Sequence, residues 1–254
     1  LALSSGIHIV VSKDFLFSNE ALLIPNTSDG RIIFILPYLN HCLIGTTDKK
    51  CEYDENIKAK DEEIKYLLDE VNIYFTKPLK KEDILSSWSG IRPLIKSANK
   101  SNTQEIVREH LIISSKNGLI SIAGGKWTTY RKMAQDMMDF LVDKNYLEKR
   151  KSCKTKKYKL AGNEEKHKDL EKLISFYAIS KSTKESLIML YGNNATVVLN
   201  LASELNDFEL INENLPYLKA EIIYCIEYEF VKKPIDFLSR RIGICFLNKE
   251  ASID

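Results

Sequence analysis

Four cationic or titratable residues stand in apolar, strand-like surroundings: His8 in GIHIVV, Arg92 in SGIRPL, Arg108 in IVREHL, and Lys126 directly after Gly124 and Gly125. Long charged side chains are rarely buried unless paired, so several of them near strand ends point to a site that holds an anion. An arginine fork matches a phosphate or carboxylate with two parallel hydrogen bonds, lysine acts as a point charge, and imidazole exchanges a proton near neutral pH. Each residue also has a structural reading. His8 can be a satisfied core histidine, Arg92 and Arg108 can bridge to Asp48, Glu105 or Glu109, and Lys126 can sit exposed on a turn. GTTD at Gly45 to Asp48 adds Thr47 and Asp48 as a polar strand end beside such a site, with an ordinary Asx-type turn as the alternative.

The stretch ISIAGGKWTTYRKMAQDMMDFLV, Ile120 to Val142, reads as a strand, two glycines and a lysine, then a helix. Gly124 and Gly125 leave the backbone bare for a ligand to approach, and the helix N-terminus behind Thr128 and Thr129 offers free N–H groups and partial positive charge. Such a place suits an anion or an electron-rich ring. Met133, Met137, Phe140 and Leu141 fall on one face of that helix and are expected in the core. No GxGxxG, P-loop, GxSxG, HExxH or EF-hand loop occurs, so the chain carries no nucleotide-phosphate motif and no metal site is expected.

These residues need elements to position them. IHIVVS, EALLIP, RIIFILP and CLIGTT read as short antiparallel strands, with NTSDG as a hairpin turn between the second and third. Ile64, Leu67, Leu68, Val71 and Phe75 then recur at helical spacing behind an acidic first turn. ILSSWSGIRPLI and EIVREHLIISS read as further strands, separated by a polar loop at Lys96 to Thr103. RKSCKTKKYK, at Arg150 to Lys159, reads as a basic linker, with a membrane-surface patch as the minority alternative. Beyond it the pattern is helical: STKE at Ser182 to Glu185 fits a capping box, Gly192 ends that helix, and later helices are expected over Ala195–Glu204, Leu215–Phe230 and Pro234–Leu247. The expected class is α+β.

A chain of 254 residues with 44% hydrophobic and 28% charged residues can bury a substantial core. The 37 basic and 35 acidic side chains leave a formal charge of +2, so nothing global points to nucleic acid. Five scattered cysteines without a CxxC pair argue against a disulfide framework and a zinc site. No apolar run approaches the roughly 20 residues of a membrane helix. The chain opens on Leu1 in what reads as mid-domain sequence, so an N-terminal portion is expected to precede it.

In order along the chain, SGIHIVV, TSDGRIIFILP, LIGTTD, DEEIKYLLDEV, WSGIRPL and GLISIAGGKWTTYR resemble motifs of the FAD-dependent glycerol-3-phosphate dehydrogenases, the mitochondrial type above all. AEIIYCIEYEF and RRIG are similar to that family's C-terminal helical domain. The resemblance implies the C-terminal portion of a D-amino-acid-oxidase-like flavoprotein whose FAD-binding βαβ unit lies before Leu1. Residues 1–115 would be an antiparallel-sheet substrate domain with one amphipathic helix, 116–149 the last strand and helix of the FAD-binding domain, 150–160 the linker, and 161–254 an all-helical cap. It further implies oxidation of sn-glycerol 3-phosphate to dihydroxyacetone phosphate, with FAD as cofactor, ubiquinone as electron acceptor, and no turnover by this portion alone. His8 would be the base, Arg92 and Arg108 would hold the phosphate, and Lys126 would lie beside flavin and substrate. Gly124 and Gly125 would clear room for the isoalloxazine ring, and Thr128 and Thr129 would open the helix facing it. A homodimer and peripheral attachment to the mitochondrial inner membrane belong to the same set of expectations. Ser5 stands where the family usually has Lys, and Val107 where it often has Ser. The alternatives are a glycerol-3-phosphate oxidase that uses oxygen, and a noncatalytic module binding an organophosphate or a partner protein.

Overall fold

Alternation sets the first strand. In β1 (Ala2–Ser12), Ile7, Ile9 and Val11 point to one fully buried face, which leaves Ser4, Gly6 and His8 on the other. The computed structural model describes residues 2–16, 19–94, 110–148, 151–163, 170–247 and 250–252. β2 (Leu22–Ile24), β3 (Ile33–Tyr38) and β4 (His41–Gly45) form an antiparallel meander ending against β1. The NTSDG turn joins β2 to β3, with the Gly30 N–H bonded to the Thr27 carbonyl at 3.0 Å.

β6 (Ile84–Leu94) pairs antiparallel along β1 from Ala2 to Val11. It takes one edge of that strand, so β4, paired from His8 to Ser12, and the short β5 (Lys49–Lys50), paired with Ser4 and Ser5, share the other. α1 (Asp61–Asn72) lies on the apolar face. Asp61, Glu62 and Glu63 in its first turn suit the positive end of the helix dipole. Ile64, Leu67 and Val71 pack with Ile7, Ile9, Val11, Ile35 and Ile44 in one buried cluster. The helix stops at Asn72, short of Phe75, because the Asn72 side chain turns to the backbone of Leu79, accepting from its N–H at 2.7 Å and donating to its carbonyl at 2.9 Å.

β7 (His110–Ser114) and β8 (Ile120–Gly124) make a separate hairpin through the SKNG turn, and a 3-10 turn at Trp127–Thr129 leads into α2 (Tyr130–Asp143). The loop expected at Lys96 to Thr103 lies outside the described residues, as do residues 105–109 of the expected strand. α2 departs from its expected role in the core. None of its residues is buried, and Met133, Met137, Phe140 and Leu141 are half-buried. The helix is tied to the hairpin by the His110–Asp136 pair at 3.0 Å.

The chain divides into two compact units, 1–157 and 158–254. The second is built of α3 (Leu170–Ser175), α4 (Lys181–Tyr191), α5 (Ala195–Glu204), α6 (Lys219–Tyr228), α7 (Pro234–Arg240) and α8 (Ile244–Leu247) around Leu187, Leu199, Leu218, Ile242 and Ile244. Ser180, not Ser182, caps α4, its hydroxyl accepting from the Thr183 N–H at 3.1 Å. The helix expected over Pro234–Leu247 breaks into α7 and α8 where Gly243 adopts a left-handed φ of 68°.

α6 carries Glu221 into this core with no exposed surface. Its carboxylate accepts from the Leu218 N–H at 2.6 Å and from the Tyr191 hydroxyl at 2.8 Å. Burial pushes the carboxyl up from 4.5 to about 7, against the pull of those two bonds. The folded unit therefore keeps a proton that the unfolded chain releases, so this contribution to stability is full below pH 4.5 and lost as pH rises through 7. A shift of this size corresponds to on the order of 3 kcal/mol. Urea unfolding of wild type should weaken between pH 5 and 8 relative to Glu221→Gln. Parallel pH dependence in both proteins would remove Glu221 as the cause.

Candidate functional site

The face of the sheet opposite α1 carries His8 and Arg92, two of the residues the sequence singles out. Antiparallel partners share a face, so the register lays Gly45, His8 and Trp88 in one row, Gly6 and Gly90 in the next, and Ser4 and Arg92 in a third. The His8 ring stacks on Trp88 with centroids 5.6 Å apart and planes at 18°. It lies over Gly45, where any Cβ would collide with the imidazole. Arg92 reaches diagonally across to Gly6, and a Cβ there would strike both the guanidinium and the Thr47 carbonyl oxygen. Beside them Gly90 is exposed, with nothing within 4 Å of where its Cβ would be. The result is a wall of His8 and Trp88, a wall of Arg92 lying over Gly6, and a floor that is open at Gly90.

The loop between β4 and β5 seats the cation. His8 faces Gly45 and Ser5 faces Lys49, so three residues, Thr46 to Asp48, stand opposite two, Gly6 and Ile7. This bulge takes the ladder partner away from the Ile7 N–H. The Thr47 hydroxyl replaces it at 3.0 Å, and donates in turn to Glu63 of α1 at 2.7 Å. Arg92 donates to the Thr46 hydroxyl at 2.8 Å and to the Thr47 carbonyl at 3.3 Å. Asp48 accepts from the Ser4 hydroxyl. Burial lowers the His8 pKa below its ordinary 6.5, and the charge of Arg92 lowers it further. The ring is therefore a neutral proton acceptor at pH 7, beside a fixed cation.

Gly124, Gly125, Lys126, Thr128 and Thr129 lie on a different element, the turn from β8 to α2. Both glycines are left-handed, with φ of 79° and 84°. Gly125 is also held by its own helix, since a Cβ there would meet the end of the Met133 side chain. Thr129 closes the turn, its hydroxyl donating to the Lys126 carbonyl at 2.9 Å and accepting from the Lys126 N–H at 3.2 Å. Thr128 and Lys126 are exposed, and Trp127 is 89% exposed. Bare backbone at Gly124 ahead of an exposed turn fits the edge of a flat ring. Arg108 lies outside the described residues.

Trp88, Gly6, Gly45, Gly90 and Glu63 were not singled out by the sequence reading. The pattern held a signal for most of them. Trp88, Gly90 and Arg92 alternate in WSGIR, and Gly6 and His8 alternate in GIH, so each set shares a face once both segments are strands.

A family model described as "FAD dependent oxidoreductase" matches residues 1–131, and one described as the C-terminal domain of alpha-glycerophosphate oxidase matches 153–254. The mitochondrial glycerol-3-phosphate dehydrogenase of Arabidopsis thaliana is 33% identical over 98% of this chain, that of Saccharomyces cerevisiae 34% over 99%, and that of Mus musculus 35% over 98%. The chain spans 42%, 44% and 35% of the length of these relatives. A crystal structure of the glycerol-3-phosphate dehydrogenase from Bacillus halodurans, complexed with FAD, aligns with a TM-score of 0.79 at 31% identity, over 98% of this chain and 51% of that one.

The two floor glycines should separate by stability. Gly6→Ala forces the Thr47 carbonyl and Arg92 aside, an overpacking cost of about 1–3 kcal/mol. Gly90→Ala meets nothing and should stay within about 0.5 kcal/mol of wild type. Thermal unfolding of the two variants checks this, and equal losses would refute the open floor.

Proposed function

Since the chain belongs to the FAD dependent oxidoreductase family, we propose that it is the C-terminal portion of a glycerol-3-phosphate dehydrogenase that oxidises sn-glycerol 3-phosphate to dihydroxyacetone phosphate and passes the electrons to ubiquinone. The observation that carries this reading is the pairing of neutral His8 with cationic Arg92 across the Gly6–Gly90 floor. The names of the relatives support the substrate and a mitochondrial setting. Ubiquinone, a homodimer and peripheral contact with the inner membrane rest on the sequence resemblance. So do the boundaries of a substrate domain at 1–115, a returning strand and helix at 116–149, a linker at 150–160 and a helical cap at 161–254.

In this proposal Arg92 binds the phosphate dianion, with Arg108 as a second cation. A guanidinium suits this task because its planar donors match two phosphate oxygens at once. The alcohol at C2 then lies toward His8, which takes the hydroxyl proton as hydride leaves the same carbon. FAD, when bound, supplies the hydride acceptor. Gly124 and Gly125 would offer bare backbone to its ring, Lys126 would lie beside ring and substrate, and the turn through Thr128 and Thr129 would set the positive N-terminus of α2 toward it. Trp88 stacks on the imidazole and fixes its plane.

Three outcomes follow for the full-length holoenzyme. Arg92→Ala should cost about 1.5–3 kcal/mol in kcat/KM for glycerol 3-phosphate, as expected when a charged hydrogen-bonding partner is removed. Unchanged kinetics would take Arg92 out of the site. Because Arg92 helps hold the His8 pKa down in the free site, the acid limb of kcat/KM, which reports that site, should lie below pH 6.5 in wild type and move upward in Arg92→Leu. His8→Ala should slow single-turnover flavin reduction with FAD still bound; reduction at the normal rate would dispose of His8 as the base.

A further inference from the structure

Glu63 is a buried carboxylate in the first turn of α1, on the core side of the sheet. A helix start favours acidic residues, but Asp61 and Glu62 already serve that end from exposed positions. Glu63 does something its neighbours do not, since it accepts the hydroxyl hydrogen of Thr47 at 2.7 Å. With that hydrogen directed to Glu63, the Thr47 oxygen turns its lone pairs toward β1 and takes the Ile7 N–H at 3.0 Å. These two bonds fix a residue that is 2% exposed, and with it the carbonyl that accepts from Arg92 at 3.3 Å.

We propose that Glu63 is a positioning residue for the Arg92 anion site, acting through Thr47. It touches neither ligand nor reacting atoms. Its role is to lock the bulge between β4 and β5 so that the guanidinium lies over Gly6 and the Gly90 floor stays open. Without the carboxylate the Thr47 side chain is free to turn, its oxygen is no longer held on the Ile7 N–H, and the Thr47 carbonyl swings with the loop. A misplacement of about 1 Å in a binding group is enough to cost up to about 100-fold in activity.

This inference rests on the organophosphate reading, and the test separates the two. In the full-length FAD-loaded protein, Glu63→Leu and Thr47→Val should each raise KM for glycerol 3-phosphate about tenfold, by more than they lower kcat, with flavin content unchanged. Glu63→Gln keeps an acceptor for the hydroxyl and should restore a KM near wild type. The double variant should be no worse than either single one, because both break the same chain of bonds. A merely structural role predicts instead that kcat, flavin content and melting temperature fall together and that the two losses add, which would overturn the proposal. If Arg92→Ala raises KM but Glu63→Leu does not, the positioning role fails and the organophosphate reading stands. If Arg92→Ala leaves KM unchanged, that reading fails, and a crystal structure of Glu63→Leu still decides the positioning role. A guanidinium displaced from Thr46 and Thr47 supports it; one retained in place refutes it.

Discussion

The site depends on one backbone donor that the sheet leaves without a ladder partner. A buried N–H must find an acceptor, and at Ile7 the neighbouring strand has bulged away by one residue. The Thr47 hydroxyl meets that demand, and in doing so places the Thr46 hydroxyl and the Thr47 carbonyl where Arg92 donates to both. The seat of the cation thus follows from how the backbone is satisfied. Gly6 completes it, because no other residue leaves room for a guanidinium and a carbonyl above its Cα.

β1 serves two environments at once through its period of two. Ile7, Ile9 and Val11 are fixed against α1 in a fully buried layer, while Gly6 and His8, displaced by one residue, face the floor. A one-residue slip would exchange the faces, so the buried isoleucines hold the register of the chemical residues. The burial of His8 on its own face explains the electrostatics. A poorly hydrated imidazole resists protonation, and a cation two strand positions away resists it further.

Strand alternation and 3-4 spacing made β1, β3, β6 and α1 legible in the sequence, and His8 and Arg92 stood out as polar exceptions within apolar runs. The floor was harder to see. Gly6, Gly45 and Gly90 acquire meaning only when three segments are aligned, and one sequence does not state the register. Thr47 was read as a polar strand end, but its bond to Glu63 joins a loop to a helix sixteen residues on, and an acidic first turn already had a sufficient explanation in the helix dipole. Local rivalry accounts for other misses. Ser180 and Ser182 both suit a cap, and the hydroxyl that reaches the Thr183 N–H wins. The α2 stripe has helical period, yet period alone does not say how deeply a face is covered.

The proposed reaction gives the closeness of Arg92 to His8 a consequence beyond anchoring. In the free site the guanidinium makes His8 a weaker base than burial alone would. A phosphate dianion on Arg92 neutralises that charge and adds a negative one nearby, so the imidazole gains affinity for a proton once substrate is in place. An alcohol that lacked the phosphate would fill the floor without this change and would meet the weaker base. Recognition of the anion and strength of the base are then coupled through a single guanidinium, whose position over Gly6 sets both. Under the proposed reaction, selectivity on this face would then arise in the step that breaks bonds as well as in binding.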